Sequence, residues 1–483
     1  MKRIIILCAV AMVTGCGIYK PYSQPELELQ TDTLYGVEHV TSDTTSLADL
    51  GWREIFTDPC LQGLIERGLE NNSDLLAAHQ RVKEAEAALK SARLSFLPSF
   101  NLSPNGGVSS FGGTSSGWTY SVPLAASWQI DLFGGINNAK RKAKATYMQS
   151  QEYRQAVRTQ LIAGIANAYY TLLMLDSQFE VTRRTAQSLE KSAETMAAMM
   201  QAGMTNRAGV AQIEAAYYSV YTSTYDLTQS ILEVQNTLCL LLGEIPHEIE
   251  RGQLSEQQLP EMLATGLPVR LLALRPDVRA AEYSLMQAYY ATAAARSALY
   301  PTLTLSGTLG WTNNAGSAVV NPGEILLSAA GSLVAPIFNG GRARAQLKIA
   351  KAQQEEARLA FRQALLNAGA EVNNALGKCQ TARGKRSWRE QQIAALESAY
   401  ESTQLLMQHG STTYLEVLTA EQNFLQGKIA QITDRFEEIQ GTINLYVSLG
   451  GGRDDAAYEQ PKDKRAERKA AREARRMQKL REE

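Results

Sequence analysis

The sequence predicts an α+β membrane protein in which one design, made of a helix, a pair of strands and a long helical hairpin, occurs twice. Three observations lead to this fold class. The chain matches itself at an offset of about 205 residues. Within each copy, the hydrophobic period changes from helical to strand-like and back. Two proline-free runs are long enough for helices of roughly 100 Å.

The duplication divides the chain into segments. Met200-Gln-Ala-Gly203 matches Met407-Gln-His-Gly410, and Phe133-Gly-Gly135 matches Phe338-Asn-Gly340. The predicted order is a signal peptide at 1–15, an N-terminal segment at 16–59, a first repeat at 60–250, a linker at 251–275, a second repeat at 276–452 and a charged tail at 453–483. The interspersed acids of the tail favour a solvated end over a surface that binds membrane or nucleic acid.

Each repeat is predicted to begin with a helix. Its apolar residues recur every three or four positions, a heptad seam in which alanine lets neighbouring helices approach closely. In the first repeat the seam residues are Leu75, Ala78, Val82, Ala85, Leu89, Ala92 and Phe96. In the second they are Val278, Ala281, Leu285, Ala288, Thr292, Ala295 and Leu299.

The next segments alternate between apolar and hydrophilic residues, which indicates strands with one face of each kind. Each clear strand has about ten residues, the length that a tilted strand needs to cross a bilayer. Their apolar positions are Tyr120, Val122, Leu124, Trp128 and Ile130 in the first repeat and Leu303, Leu305, Leu309 and Trp311 in the second. The partner strands at 99–103 and 324–334 are less regular, and Gly- and Ser-rich turns are predicted at 104–117 and 313–323.

Each repeat is predicted to end in a helical hairpin. All 14 prolines lie outside residues 124–245 and 337–460. The long helices are expected from about 136 to 202 and from about 342 to 408, each followed by a short turn and a returning helix. Beyond the N-terminus, no run approaches the roughly 20 apolar residues of a membrane-spanning helix. Only the strands therefore remain to cross a bilayer.

Four strands cannot close a barrel, and open sheet edges are not tolerated in lipid. Membrane insertion of these strands therefore requires further copies of the chain. The whole chain has 48 lysine and arginine residues against 49 aspartate and glutamate residues, so no net charge calls for nucleic acid.

The N-terminus indicates export. Lys2 and Arg3 precede an apolar core, and the segment that ends at Cys16 resembles the lipobox of bacterial lipoproteins. That resemblance implies a covalent lipid on Cys16, which anchors the chain to a membrane. An ordinary signal peptide followed by a chance cysteine is the alternative. The remaining cysteines, Cys60, Cys239 and Cys379, lack paired spacing and are expected to be small buried residues.

Three segments carry a family resemblance over nearly the whole mature chain. They are Leu274-Arg-Pro-Asp-Val-Arg-Ala-Ala-Glu282, Pro336-Ile-Phe-Asn-Gly-Gly-Arg342 and Tyr414-Leu-Glu-Val-Leu-Thr-Ala-Glu421. Together with the lipobox and the duplication, they resemble the TolC-type outer membrane factor family, in its outer membrane efflux lipoprotein branch.

The resemblance implies a homotrimer, with a twelve-stranded β-barrel in the outer membrane, four strands per chain. The barrel would continue into a long α-helical barrel in the periplasm, surrounded by a mixed equatorial domain. The implied function is the exit duct of a tripartite efflux system. It would passively conduct small molecules delivered by a periplasmic membrane fusion (adaptor) protein and an inner-membrane RND-type pump. The cargo is not identified.

The resemblance also implies a gate at the periplasmic tip. Leu415 matches a leucine that narrows the closed pore, although a helix-packing role is the alternative. The family often has an aspartate where this chain has Thr419, which puts an acidic selectivity ring in doubt, and Glu416 is a substitute candidate. Gly203 and Gly410 are expected to end the long helices, and contact with the adaptor stays open for both.

Glycine pairs are expected where strand becomes helix, at Gly134 and Gly135 and at Gly340 and Gly341, because a barrel wall must bend there. No catalytic or metal site and no cofactor other than the lipid is expected. The four histidines, His39, His79, His247 and His409, lack metal-ligand spacing. Type I protein secretion and a non-porous envelope spacer are the alternative functions, and the strands oppose the spacer.

Overall fold

The structure is a computed structural model that describes residues 20–24, 47, 50–111, 114–258, 274–312 and 324–453, without the side chains of residues 108–119 and 324–326. The predicted signal peptide, Cys16, His39 and the charged tail beyond residue 453 lie outside the described residues. Among those described, no helix is both long and apolar enough to cross a membrane.

The described elements follow the predicted order in both repeats. In chain order they are α1 (Trp52–Ile55), α2 (Pro59–Asn71), α3 (Ser73–Leu94), β1 (Ser99–Leu102), β2 (Asn105–Phe111), β3 (Thr114–Ile130), α4 (Gly135–Gln201), α5 (Arg207–Leu242), α6 (Pro276–Ser297), β4 (Thr302–Thr312), β5 (Glu324–Val334), α7 (Arg342–Gln408) and α8 (Tyr414–Ser448). A short 3₁₀ turn, Leu254–Glu256, precedes the second repeat.

The element lengths reflect the duplication. Helices α3 and α6 each have 22 residues, and α4 and α7 each have 67. Helices α5 and α8 have 36 and 35 residues. The predicted long helices are thus confirmed within one residue at each end, because a proline-free run supplies every N–H that a continuous helix needs.

The described residues form two compact units. The first contains the sheet, α3, α6 and the beginnings of α4 and α7, up to Val157 and Glu371. The second contains α1, α2, α5, α8 and the remainder of α4 and α7. Each unit therefore combines matching parts of both repeats.

The sheet of the first unit is antiparallel, in the order β1-β3-β4-β5, with β2 also paired to β3. Strands β1 and β2 lie along the same neighbour, where Leu102 pairs with Leu124 and Asn105 with Ser121. Pro104 lies in the break between them and has no N–H to donate. Because β1 and β2 occupy one position in the sheet, the sheet is four strands wide, as predicted.

One turn prediction was wrong. Residues 104–117 were expected to form a loop, but β2 and the start of β3 occupy most of that range. Glycine and serine weaken a strand without preventing it, and here the ladder to β3 continues through Gly106 and Gly107. The second expected turn, 313–323, lies outside the described residues.

Helices of the first unit are joined by polar contacts. The side-chain amide of Gln149 on α4 donates to the Ser284 hydroxyl on α6 at 2.6 Å. Arg279 on α6 pairs with Glu152 on α4 at 3.0 Å, where the Glu152 side chain is only 3% exposed. The heptad seam of α3 is confirmed at four of its seven predicted residues, since Leu75, Ala78, Val82 and Leu89 are buried, whereas Ala85, Ala92 and Phe96 are only partly buried.

The second unit has an apolar core between α2, α4, α5, α7 and α8. Gly68 on α2 allows a close approach, because a Cβ there would lie 2.4 Å from the Ile165 side chain on α4. Cys239 and Cys379 are buried in this unit, as expected. Cys60 is exposed, so the prediction was wrong for it. It lies in the first turn of α2, where its backbone N–H donates to the Asp58 carboxylate at 2.8 Å.

Candidate functional site

The two helix-to-helix turns of the second unit have the same construction. After α4, the N–H of Gly203 donates to the Met200 carbonyl at 3.0 Å, and that of Met204 to the Met199 carbonyl at 2.9 Å. After α7, Gly410 and Ser411 repeat this pattern with distances of 2.9 Å. Gly203 and Gly410 have φ of +75° and +70°, the left-handed backbone expected of a glycine that ends a helix.

Both turns lie at one end of this unit, because residues near them share one apolar cluster. The cluster joins α4, α5 and α8 and contains Leu189, Met196, Val210, Ile213, Ala216 and Leu418. Met407 from α7 and Tyr414 from α8 pack against it. The cluster therefore holds the first turns of α8 against the other helical hairpin.

The three predicted gate residues lie close together at the start of α8. Leu415 is 52% exposed, and Glu416 and Thr419 are also exposed. The Thr419 hydroxyl donates to the Leu415 carbonyl at 2.8 Å, and the Thr412 hydroxyl bonds to the Glu416 carboxylate. Thr419 is thus satisfied within its own helix, and Leu415 presents its side chain outward.

The opposite side of the same helix is buried. Val417 and Leu418 are each 4% exposed, and Glu421 is 5% exposed. Sequence analysis did not single out Glu421. The available signal was its spacing, since it follows Val417 by four positions and Leu418 by three, which places the three residues on one side of a helix.

The predicted bends after the strands lie in the first unit. Gly134, Gly340 and Gly341 have φ of +75°, +64° and +79°, which residues with a Cβ rarely adopt. Gly135 is not among the residues with positive φ. It opens α4, where a Cβ would lie 3.1 Å from the Ser297 hydroxyl of α6. Glycine is therefore favoured at residue 135 because α4 and α6 pack closely there, and not because of its backbone conformation.

Asp131 is a further residue of this bend that sequence analysis missed. Its carboxylate accepts hydrogen bonds from the backbone N–H groups of Ile136 at 3.2 Å and Asn137 at 2.8 Å. These are orphan donors of the first turn of α4, and a negative charge at that end also interacts favourably with the helix dipole. Asp131 thus fixes the start of the long helix directly after β3.

A polar network in the second unit ties the segment after α5 to the helices. The Asp58 carboxylate accepts from the Tyr169 hydroxyl of α4 at 2.6 Å and from the Gln257 amide at 2.8 Å. Arg251 pairs with Asp176 of α4, with an Nη2–Oδ1 distance of 2.9 Å. These contacts join residues of the predicted N-terminal segment and linker to α4.

The sheet of the first unit has one continuous apolar face. The register pairs Leu124 with Leu309 and Trp128 with Leu305, and Leu309 in turn with Leu327. Large apolar side chains are exposed along this face, namely Phe100, Leu102, Leu124, Trp128, Leu305, Leu309, Trp311, Leu327 and Leu333. The alternate positions of β4 are mainly threonine and serine. A face of this kind suits lipid rather than water.

No group of three or more histidine, cysteine, aspartate or glutamate residues is placed to hold a metal ion within the described part of the chain. His247 lies beside Glu244, with 3.5 Å between the ring nitrogen and the carboxylate.

Both repeats match one family. Residues 64–244 and 267–451 each match the family described as outer membrane efflux protein. The chain belongs to this family. The prediction of a TolC-type outer membrane efflux protein is thereby confirmed.

Two curated relatives and one solved structure are similar to this chain over almost its full length. The chain is 26% identical over 453 residues to the cation efflux system protein CusC of Escherichia coli (strain K12), which covers 93% of this chain and 99% of CusC. It is 26% identical over 460 residues to the probable outer membrane lipoprotein SilC of Salmonella typhimurium, covering 93% and 98%. The open state of the Neisseria gonorrhoeae MtrE outer membrane channel superposes with a TM-score of 0.79 at 29% identity, covering 90% and 98%.

This protein is accordingly an outer-membrane channel of an efflux system. Its fold is that of the outer membrane channels, it lies in the outer membrane, and its role is transport as one component of a larger system. The alternatives of protein secretion and of a non-porous spacer are not favoured by these relatives.

Proposed function

We propose that three copies of this chain close a twelve-stranded β-barrel and together form a passive exit duct. The observation that carries the proposal is the sheet of the first unit, with its continuous apolar face and its open edges. In the described part of the chain, β1 and β2 pair only with β3, and β5 pairs only with β4. Because lipid cannot satisfy the backbone groups of an open edge, other copies must pair with both edges. The number three rests on the family resemblance.

A row of tyrosines on α5 also supports association between copies. The rings of Tyr217, Tyr221 and Tyr225 follow one another at centroid distances of 5.7 Å. Tyr221 is 44% exposed and Tyr225 is 63% exposed, and Trp388 on α7 is 73% exposed. Exposed aromatic rows commonly mark interaction surfaces, and a second copy of the chain is the occupant that barrel closure already requires.

The tip formed by the two helical turns is the proposed gate. A ring of Leu415 side chains, one from each copy, would hinder passage by excluding water from the narrowest point. Glu416 is the proposed acidic residue near that ring, since the chain has Thr419 where the family often has aspartate. Gly203 and Gly410 form the turns that an adaptor would contact.

The duct is proposed to work without catalysis, metal or nucleotide. An inner-membrane RND-type pump would supply the energy and a periplasmic adaptor the connection, as the resemblance implies. A covalent lipid on Cys16 would anchor the N-terminus to the outer membrane. CusC is a cation efflux protein, and a cation is therefore one candidate cargo for this chain.

The test is single-channel conductance of the purified protein in planar bilayers, with the oligomeric mass determined in the same detergent. A trimer that inserts and conducts supports the duct. A monomer that never inserts would refute the closed barrel, and a conducting assembly of another size would refute the number three.

A further inference from the structure

Glu421 is a buried carboxylate between the helices at the tip of the second unit. It lies on α8 and is only 5% exposed. The Tyr400 hydroxyl of α7 donates to its Oε1 atom at 3.4 Å, and the Ser188 hydroxyl of α4 lies beside it. Tyr400 is itself held by stacking on Phe424, with ring centroids 5.9 Å apart and planes 12° apart. Glu421 thus links α8 to both α4 and α7.

No cation compensates this carboxylate among the described residues. The titratable groups that face it are Tyr400 from α7 and Tyr414 from its own helix. Helix α4 contributes the Ser188 hydroxyl. Helix α5 contributes Tyr217 to the adjoining cluster, beside apolar residues, and the Tyr217 hydroxyl donates to Glu190 of α4. Burial raises the pKa of Glu421, and the hydrogen bonds from Ser188 and Tyr400 offset this only in part. The packed helices therefore stabilise the protonated form of Glu421 relative to the same side chain exposed to water.

Glu421 is also coupled to the gate by geometry. It lies six residues after Leu415 on the same continuous helix. Val417, Leu418 and Glu421 form the buried side of that helix, and Leu415 lies on the exposed side. A displacement of this part of α8 from α4 and α7 must therefore move Leu415 as well.

We propose that Glu421 is a positioning residue for the gate, a latch that holds α8 against α4 and α7 when protonated and loosens it when ionised. The inference rests on the proposed gate at Leu415. The packed arrangement is then the narrow state of the pore. Loosening exposes the carboxylate to water, which removes the cost of a buried charge.

The direction of the pH effect follows from linkage. The packed state binds the proton more tightly than the loosened state. Packing is therefore most stable below the ordinary pKa of a glutamate, and it weakens as pH rises from that pKa through the raised pKa of the packed state. The expected size of the effect is an increase of about tenfold in the ratio of open to closed channels between the low-pH and high-pH limits.

The experiment compares conductance from about pH 4 to about pH 8 for the full chain and two variants. The unmodified channel should open more as pH rises. Glu421→Gln keeps the shape and hydrogen bonds of the side chain without the charge, and it should stay narrow across the range. Glu401→Gln removes an exposed carboxylate from α7 and should keep the unmodified pH response. A flat or inverted response of the unmodified channel, or an unchanged response in Glu421→Gln, would overturn the proposal.

A second measurement does not depend on conduction. The thermal unfolding midpoint of Glu421→Gln in detergent should exceed that of the unmodified protein at about pH 8 and match it at about pH 4. Equal midpoints at both pH values would refute the buried latch even if the channel conducts. If neither the unmodified protein nor any variant conducts, but the unfolding midpoint of Glu421→Gln still exceeds that of the unmodified protein only at about pH 8, the proposed duct is refuted and the titration of Glu421 is supported.

Discussion

Replacing Gly243 by alanine tests how closely α5 approaches α2 in the second unit. Gly243 ends α5 with φ of +71°, and its N–H donates to the Leu240 carbonyl at 3.1 Å. A Cβ at this position would lie 2.8 Å from the Asn71 carbonyl oxygen of α2. That oxygen belongs to the backbone, so the contact is relieved only if one helix end moves.

The magnitude comes from two separate costs. A left-handed backbone costs an L-residue about 1–2 kcal/mol, and forced overpacking costs a further ~1–3 kcal/mol. Gly203 provides a matched control, because its φ is +75° and a Cβ there would meet nothing within 4 Å. Gly203→Ala should therefore incur only the first cost, and Gly243→Ala both.

The assay is the apparent unfolding midpoint by circular dichroism in detergent, at one fixed scan rate because large membrane proteins often unfold irreversibly. Gly243→Ala should unfold several degrees below Gly203→Ala, which in turn should unfold slightly below the unmodified protein. Equal midpoints for the two variants would refute the argument that the Asn71 carbonyl requires glycine at residue 243.

Three further predictions concern an ion pair, the gate and the anchor. Arg279→Met should destabilise the protein by about 3–5 kcal/mol, because it removes the cation that pairs with the buried Glu152 carboxylate. Arg183→Met removes an exposed pair with Glu180 and should cost at most about 1 kcal/mol. Equal losses of unfolding free energy in urea would contradict the role of burial. Leu415→Ala should raise single-channel conductance or antibiotic leak. Leu359→Ala changes another exposed leucine and serves as the control, which should leave both unchanged. Unchanged conductance and leak in Leu415→Ala would show that Leu415 is not part of the gate. Cys16→Ala should abolish labelling by a radioactive fatty acid, and continued labelling would refute the lipoprotein hypothesis.

The domain bounds drawn from the repeats describe the sequence, whereas the compact units cut across them. Each unit takes the matching portion of both repeats, so that α4 and α7 each contribute to both units. Sequence similarity identifies which segments are equivalent, but only contacts between the equivalent segments decide which of them form one unit.

The sequence by itself determined the features that depend on local pattern. The long helices Gly135–Gln201 and Arg342–Gln408 follow from runs without proline, and their ends follow from Gly203 and Gly410, because glycine accepts the left-handed cap that other residues resist. The strands follow from a period of two. These signals lie within a few residues of one another and need no knowledge of distant contacts.

Only the tertiary structure decided which polar groups are buried and which segments meet. Glu421 and the exposed Glu416 lie on the same helix, and the packing of α4 and α7 against one side of that helix buries Glu421 and leaves Glu416 exposed. The pairing of Glu152 with Arg279, the exposure of Cys60 and the strand at 105–111 were likewise not apparent from the sequence. Burial and strand pairing depend on segments far apart in the chain, and their effect on a residue is fixed only once those segments are packed together.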